Sequence, residues 1–351
     1  MQNARHFMRA LVNTGPGRLE LLDWPTPEPG PGQVRIRTAA CGICATDLIM
    51  IAGWERTGFP AIPGHEWSGV VHAVGPGVDA ALVGRRCVAE NVLSDGGEVG
   101  FEHAGGYGEY FVTEAANVQP LPADFPAETA ALIEPLAVSV RAFRRMRVED
   151  LSAALIFGDG PIGLIMLMLL RRAGVKDIVL VGSRPGRLAL ARELGANRTL
   201  SYREVQGSLA VASRAARSPA GQPGSLPGVT RPFGGPTADA GFMNIVEASG
   251  AGSACAAALE LAPRGAHILL IGDYEHARAA FPWMRMIHGE LELIGSNASA
   301  GAWPEAVWLA TSGELPLGRL VTHRIPVTEH ARGLALMRSK APDVVKVVME
   351  W

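Results

Sequence analysis

The chain has 351 residues, of which 48% are hydrophobic, and its formal net charge is −2 with both signs interspersed. This length predicts about two domains, and the balanced charge argues against nucleic acid and anionic membranes as partners. The longest apolar run, near residues 164–170, is far shorter than the roughly 18 to 20 residues that cross a bilayer, and the polar N-terminus lacks the order of a signal peptide. We therefore expect a cytoplasmic protein that acts on a small molecule.

From residue 8 to about 141 the sequence predicts short strands separated by glycine- and proline-rich turns. Candidate strands cover residues 34–37, where apolar and polar residues alternate, and residues 69–74 and 110–112, which are rich in residues that favour strands. Turns are expected at 25–32 and 75–77. This part of the chain should form a β-rich domain.

From about residue 142 strands and helices alternate, which is typical of a parallel, doubly wound sheet. We expect strands at 153–157, 177–181, 243–248, 267–272 and 291–295, and helices at 161–173, 187–194 and 252–261. The alternation fails between about 206 and 237. We interpret that segment as a surface insertion, and favour a tolerated loop over a functional lid.

After residue 296 the sequence predicts a helix near 303–312, a strand at 320–325, a helix at 328–339 and a terminal strand at 344–349. We expect these elements to return to the β-rich domain. The domain prediction is therefore a first domain of residues 1–141 and 297–351, and a second domain of residues 142–296 that contains the insertion.

Residues 158–163 read G-D-G-P-I-G and lie between a predicted strand and a predicted helix. The G-x-G-x-x-G pattern in that context indicates a turn that binds a dinucleotide, because glycines let the backbone approach a pyrophosphate at a helix N-terminus. A plain strand-to-helix turn is the alternative. The residues expected to contact the cofactor there are Gly158, Gly160, Pro161, Ile162 and Gly163.

The end of the next strand discriminates between the two nicotinamide cofactors, since an acidic residue there binds the ribose 2′-OH and repels a 2′-phosphate. Here the strand ends at Gly182, Ser183 and Arg184, without a carboxylate. Gly182 leaves room for a phosphate, Ser183 can donate to it and Arg184 can pair with it, which favours NADP(H) over NAD(H). If Arg184 is only a solvated turn residue, NAD(H) is tolerated. Ser249 and Gly250 are also expected to bind the cofactor.

The four cysteines, Cys41, Cys44, Cys87 and Cys255, are too few and too scattered for a disulfide framework, so we expect reduced thiols. Cys41 and Cys44 form a C-x-x-C pattern. This spacing allows a redox pair, half of a four-cysteine zinc site, or one metal ligand beside an uninvolved cysteine. Because no second C-x-x-C exists, the paired four-cysteine site is disfavoured.

Four residues offer the ligand types of a catalytic zinc site: Cys44, His65, Glu66 and Glu134. Such a site uses three protein ligands and leaves one position open for water or substrate. The spacing of these residues leaves open whether their side chains meet.

Around these residues the chain resembles the zinc-dependent medium-chain dehydrogenase/reductase family. The similarity lies in residues 42–47, 64–66 and 105–110, the Glu134-Pro135 pair and the glycine-rich turn, in the family's order. The resemblance implies an α/β protein with a β-rich GroES-like catalytic domain and a doubly wound Rossmann cofactor domain. Relatives of this kind are dimers or tetramers, so we expect a homodimer or homotetramer.

The resemblance also implies a role for each matching residue. Cys44 and His65 would bind zinc, with Cys41 uninvolved, and Glu66 and Glu134 would bind it directly or through its water. Thr46 would pass on the substrate proton, and Asp47 would orient His65. Residues 90–106 lack the four cysteines of the family's structural zinc site, so we expect one zinc ion per subunit. Ile49 stands where a histidine often ends the proton path in alcohol dehydrogenases.

Residues 131–136, 302–304 and 320–324 are most similar to sorbitol and iditol dehydrogenases, but the sugar-binding Arg-Tyr pair of that branch falls on Ala298 and Ser299. We therefore predict hydride transfer between NADP(H) and a secondary alcohol or polyol, or the corresponding ketone. Trp54, Trp67 and Phe59 are candidate walls of the substrate pocket. The competing hypotheses are a zinc-free quinone or enoyl reductase of the same fold and a non-catalytic NADPH-binding module.

Overall fold

The structure, a computed structural model, describes residues 6–54, 56–207, 241–274, 281–339 and 341–351. The chain divides into two compact units, Met1–Val138 with Ser299–Trp351, and Ser139–Ala298. Apart from its first two residues, the insertion predicted at about 206–237 lies outside the described residues. No helix in the described ranges is long and apolar enough to span a membrane.

The first unit is built mainly from antiparallel strands. Its strands are β1 (Phe7–Gly15), β2 (Arg18–Pro25), β3 (Gln33–Gly42), β4 (Trp67–Val74), β5 (Arg86–Ala89), β6 (Tyr110–Glu114), β7 (Val118–Pro120), β14 (Val321–Pro326) and β15 (Lys346–Glu350). β1 and β2 form a hairpin, and the remaining strands form one sheet in the order β14-β15-β3-β4-β5-β7, with β6 also paired to β3. The two C-terminal strands thus join the β-rich sheet.

Helices cover parts of this sheet. They are α1 (Ala45–Gly53), α2 (Ala127–Ala130), α3 (Ile133–Met146), α9 (Trp303–Thr311) and α10 (His330–Ser339), and the division between the units falls within α3. Short 3-10 turns lie at Ala80–Leu82, Ala115–Asn117, Leu317–Leu320 and Val327–Glu329. β3 shows why the sheet forms: Val34 and Ile36 are buried while Arg35 and Arg37 are more exposed, the alternation that a half-buried strand requires.

The second unit alternates strands and helices. Its elements are β8 (Ala153–Phe157), α4 (Pro161–Arg172), β9 (Asp177–Gly182), α5 (Pro185–Glu193), β10 (Arg198–Ser201), α6 with a described part at 202–207, β11 (Asn244–Glu247), α7 (Gly252–Leu261), β12 (His267–Leu270), α8 (Trp283–Gly289) and β13 (Glu292–Gly295). All pairings are parallel, and the order is β10-β9-β8-β11-β12-β13.

This order makes the sheet doubly wound, because the chain runs outward from β8 in one direction and then, from β11, in the other. Every residue of β8 is buried, as expected of a central strand covered on both faces. The predicted fold class is confirmed. β10 and α8 were not predicted, since both are short and β10 is a half-buried edge strand without an apolar run.

Candidate active site

Cys44 and Thr46 lie where β3 ends and α1 begins. Cys44 is the N-cap residue of α1, and the Oδ2 atom of Asp47 accepts a hydrogen bond from the Cys44 backbone N–H at 2.8 Å. This bond satisfies one of the free N–H groups of the helix start. It also fixes the turn in which Thr46 Oγ1 lies 3.6 Å from Cys44 Sγ.

Three of the four proposed ligands meet in the first unit. Ligand atoms of Cys44, His65 and Glu66 all lie within 4.8 Å of one another, although the three residues belong to two separate segments of the chain. A sulfur, an imidazole nitrogen and a carboxylate oxygen are donors that zinc binds in proteins. The donor set and its spacing therefore fit a zinc ion.

The Asp47 carboxylate lies behind the imidazole of His65. Its Oδ1 atom lies 3.4 Å from His65 Nδ1, and its Oδ2 atom accepts a hydrogen bond from the Tyr107 hydroxyl at 3.2 Å. Burial alone lowers the pKa of His65, but the Asp47 carboxylate and the Cys44 side chain outweigh it and raise the pKa well above its usual value. With Nδ1 facing Asp47, Nε2 is the imidazole nitrogen available to a metal.

Glu66 forms a buried ion pair with Lys346. The Lys346 ammonium lies 2.7 and 2.6 Å from the two carboxylate oxygens, and the two side chains are 3% and 2% exposed. Lys346 also donates to the backbone oxygen of Ile43 at 3.4 Å. Desolvation lowers the pKa of Lys346, but the Glu66 carboxylate reverses that effect and raises it. The ion pair therefore holds the Glu66 carboxylate oriented toward β15.

Glu134 lies in the first turn of α3 and is not a member of the cluster of three. Burial is the main cause that raises the pKa of this carboxyl to about 7, while the charge of His65 lowers it and that of Glu66 raises it. The charges of His65 and Glu66 therefore act on the Glu134 carboxyl. Glu134 is thus the one predicted ligand that lies outside the cluster of Cys44, His65 and Glu66.

The aromatic residues near the cluster are arranged differently from the prediction. Trp67 is a core residue, 2% exposed, whose indole N–H donates to Asn91 Oδ1 at 2.9 Å and whose ring packs edge-on against Phe111. The prediction that Trp67 lines the pocket is wrong, because β4 turns this side chain into the core. Trp54 is half-buried and contacts Phe101 edge-on, with 6.4 Å between ring centroids.

Phe101 was missed in the sequence. Its ring centroid lies 4.8 Å from that of His65. The guanidinium of Arg56 lies 4.5 Å from the centroid of the Phe101 ring. The same guanidinium donates to the carboxylates of Glu98 and Glu102. A second contact in this segment joins His103 Nε2 to Asp95 Oδ2 at 2.9 Å. Ion pairs thus cross-link the segment in which the resemblance places a structural zinc, and all four cysteines are free.

The glycine-rich turn of the second unit joins β8 to α4. Gly158 has φ +119°, which L-residues rarely adopt, and a β-carbon at Gly163 would lie 2.0 Å from the carbonyl oxygen of Gly158. A β-carbon at Gly160 would instead meet only Arg187 Nη1, at 3.9 Å. Gly160 is the N-cap of α4 and no side chain caps this helix, so its first N–H groups remain available to an anion such as a pyrophosphate.

A carboxylate lies at the end of β9 after all. Asp159, from the glycine-rich turn, accepts hydrogen bonds at Oδ2 from the backbone N–H groups of Ser183 and Arg184, at 2.7 and 2.8 Å. The residues of the strand end include no acid, as predicted, but the side chain of Asp159 reaches them. The sequence rule examines only the residues of the strand itself, whereas this acid comes from the preceding turn.

Ser249 and Gly250 form a turn after β11. Glu247, fully buried at the end of that strand, accepts from the backbone N–H groups of Ser249 and Gly250 at 2.9 and 3.2 Å, and from the hydroxyls of Ser249 and Tyr274. The turn is thus fixed by a single carboxylate.

Residues that the sequence reasoning missed carried weak signals. Lys346 is a lysine within the apolar terminal strand, and Asp159 is an acid within a glycine-rich turn. Both are polar groups in places where water is excluded, which requires a partner. Neither pattern tells which partner it is.

Two family models match the chain: the alcohol dehydrogenase GroES-like domain matches residues 30–123, and the zinc-binding dehydrogenase domain matches residues 161–312. An L-threonine 3-dehydrogenase from Anaeromyxobacter sp. (strain Fw109-5) is 31% identical over 98% of this chain and 99% of its own length. The sorbitol dehydrogenase of Homo sapiens is 29% identical over 91% of this chain and 89% of its own. The crystal structure of galactitol-1-phosphate dehydrogenase from Escherichia coli is 26% identical, with a TM-score of 0.80 over 98% of this chain and 100% of that one.

Proposed function

The chain belongs to the family of zinc-binding alcohol and polyol dehydrogenases, and we propose that it is a zinc-dependent oxidoreductase. In this proposal it transfers a hydride between NADP(H) and a secondary alcohol or polyol, or the corresponding ketone. The observation that carries the proposal is the cluster of Cys44, His65 and Glu66, whose ligand atoms lie within 4.8 Å of one another, with Asp47 behind the imidazole.

In this proposal Cys44, His65 and Glu66 hold one zinc ion, and Glu134 binds it or its water. A zinc ion there supplies Lewis-acid chemistry, which lowers the pKa of an alcohol toward neutrality or polarises a carbonyl. The side chains of this chain do the rest. In this proposal Asp47 keeps the imidazole oriented, and the ion pair with Lys346 holds the Glu66 carboxylate in place.

The hydroxyl of Thr46 is the proposed proton relay. Its position 3.6 Å from Cys44 Sγ supports this role, because a group that passes a proton must be within reach of the reacting oxygen. With Ile49 in place of a histidine, the proposed exit of the proton from Thr46 is through water. Trp54 and Phe101, which pack against each other beside His65, are the proposed substrate walls.

The nicotinamide cofactor is assigned to the second unit. The uncapped N-terminus of α4 and the open face of Gly160 support pyrophosphate binding, and Ser249 and Gly250 form a second contact. Arg184 at the end of β9 supports the preference for NADP(H) over NAD(H), since its guanidinium can pair with a 2′-phosphate. The cofactor supplies or accepts the hydride.

We also propose that the protein forms a homo-oligomer. β13 is an edge strand of the parallel sheet, and α8, which precedes it, exposes Trp283, Met284 and Ile287 to solvent at 70, 58 and 62%. Unpaired strand edges and large apolar side chains favour association with a second copy of the same surface. Light scattering on the purified protein tests this; a monomer at micromolar concentration would contradict it.

Metal analysis combined with a substrate panel tests the assignment. We expect about one zinc per chain and oxidation of secondary alcohols or polyols that a chelator abolishes and zinc restores. Reduction of quinones or enoyl substrates by metal-free protein would instead support the zinc-free reductase. Zinc and NADPH bound without any turnover would support the non-catalytic binding module.

A further inference from the structure

The end of β9 carries an unusual arrangement around Asp159. This residue is the second of the glycine-rich turn and is 7% exposed. A β-carbon at Gly182 would lie 2.5 Å from Asp159 Oδ2 and 2.6 Å from its Cβ. Gly182 therefore leaves space that is already filled by the Asp159 side chain, rather than space kept for a phosphate.

The two oxygens of this carboxylate differ in what they contact. Oδ2 accepts both backbone N–H bonds from Ser183 and Arg184. Oδ1 forms an ion pair with Nη1 of the buried Arg187 at 3.8 Å, a separation longer than a hydrogen bond. One oxygen thus anchors the turn, and the other keeps its capacity to accept a hydrogen bond.

The carboxylate lies at the end of the second strand of the unit, where dinucleotide-binding folds contact the adenosine ribose. An acid there accepts from the ribose 2′-OH and opposes a 2′-phosphate, whereas a nearby arginine attracts that phosphate. This chain has both a positive and a negative side chain at that place. Arg184 directly follows Ser183, and the Asp159 carboxylate accepts a hydrogen bond from the Arg184 backbone N–H.

We propose that Asp159 is a specificity-determining residue that reads the ribose 2′ position and limits the preference for NADP(H), so that NAD(H) remains a usable cofactor. The inference rests on the proposed function in one respect, namely that the second unit binds a nicotinamide dinucleotide. Arg184 stabilises the 2′-phosphate of NADP(H), and Asp159 opposes it by like-charge repulsion while accepting from the 2′-OH of NAD(H).

A purely structural role for Asp159 makes a different prediction. If the carboxylate only caps the backbone of Ser183 and Arg184, its loss loosens the turn and weakens both cofactors alike. If it reads the ribose, its loss changes the ratio of the two affinities. The amide of asparagine can still accept from the backbone N–H groups, so Asp159→Asn removes the charge and keeps the cap.

Binding titrations decide between these roles without any turnover. Dissociation constants of NADPH and NADH are measured by calorimetry on the full chain, for the wild type, Asp159→Asn and the control Asp150→Asn. Asp150 is a matched control because its Oδ1 atom caps a backbone N–H, that of Ser152 at 2.7 Å, in the same unit but outside the glycine-rich turn.

We expect Asp159→Asn to raise the affinity for NADPH relative to NADH about tenfold, while Asp150→Asn leaves the ratio unchanged. An unchanged ratio in Asp159→Asn, with both cofactors bound, overturns the inference and leaves the proposed function intact. A wild type that binds neither cofactor overturns both. If Asp159→Asn does not fold, the smaller uncharged variant Asp159→Ser is titrated with the same expectation.

Discussion

The two units build their sites in opposite ways. In the second unit the glycine-rich turn, proposed to bind the nucleotide, is six consecutive residues, 158–163, and close backbone contacts among its glycines fix its geometry. In the first unit the cluster joins residues near 44 and 65 with Lys346, which comes from the last strand of the chain. A local motif can be recognised in the sequence, whereas a site assembled by strand pairing cannot.

The two sites also differ in what they bury. The first unit encloses Asp47, Glu66 and Lys346 almost completely, so each charge depends on its partner. The glycine-rich turn presents mainly backbone N–H groups, which need no counter-charge in the absence of a ligand. Single substitutions should therefore have large effects in the first unit and smaller, ligand-dependent effects in the second.

The largest expected effect is the loss of zinc and turnover in Cys44→Ala, with NADPH binding retained. Loss of the Cys44 side chain should remove zinc and lower turnover to less than about one thousandth of the wild-type rate. The affinity for NADPH should stay within about twofold of the wild-type value, because the glycine-rich turn lies in the other unit. Metal analysis and calorimetry measure the two properties. Cys41→Ala is the control and should retain zinc; full turnover in Cys44→Ala would contradict the metal assignment.

A buried ion pair should show its cost when one partner is removed. Lys346→Met leaves the Glu66 carboxylate buried and unpaired, so we expect the free energy of unfolding to fall by about 3 to 5 kcal/mol. Neutralising the orphaned acid in Lys346→Met with Glu66→Gln should recover much of the loss. Urea denaturation measures both. A double variant as unstable as the single one would show that the lysine acts through packing.

Two glycines in one turn allow the same comparison inside the second unit. A β-carbon at Gly163 would collide with the backbone oxygen of Gly158, so Gly163→Ala should lower the free energy of unfolding by about 1 to 3 kcal/mol. Gly160→Ala has room and should fold normally, yet weaken NADPH binding about tenfold or more by obstructing the pyrophosphate. Thermal unfolding and calorimetry on both variants distinguish packing from binding. Equal stability of the two variants would contradict the packing argument.

The same contrast explains what the sequence could predict. β8 and α7 have the predicted bounds, because a continuous apolar run or a regular helical period identifies such elements without tertiary information. The pairing of Glu66 with Lys346 depends on how β15 aligns with β3, where Val348 faces Gly42. Nothing local in either segment encodes that register.

The inferred role of Trp67 was wrong and the reach of Asp159 was overlooked, for related reasons. Trp67 directly follows the proposed ligands His65 and Glu66, but β4 begins at this residue and its ring lies in the core. Asp159 was overlooked because rules for cofactor preference examine the strand end rather than the side chain that reaches it. In both cases proximity along the chain was a poor guide to proximity in space.

The smallest expected effect concerns the ion pairs near Phe101. The side chain of Arg56 is 32% exposed, and those of Glu98 and Glu102 are 25 and 36% exposed, so water screens these pairs. Arg56→Gln should therefore lower the free energy of unfolding by no more than about 1 kcal/mol at pH 7. Arg264→Gln breaks a pair whose side chains are 71 and 63% exposed, and should have still less effect.

The pH dependence of the Arg56 effect follows from Glu102. Burial raises the pKa of this carboxyl, but the hydrogen bonds from Arg56 and the backbone outweigh burial and lower it below its usual value. A lowered pKa in the folded state contributes stability above the usual pKa of glutamate, about 4.3, and that contribution disappears as the pH falls through the lowered value. The difference between wild type and Arg56→Gln should thus shrink in acid and in high salt, whereas a difference that persists would indicate that the contact of Arg56 with the Phe101 ring stabilises this segment.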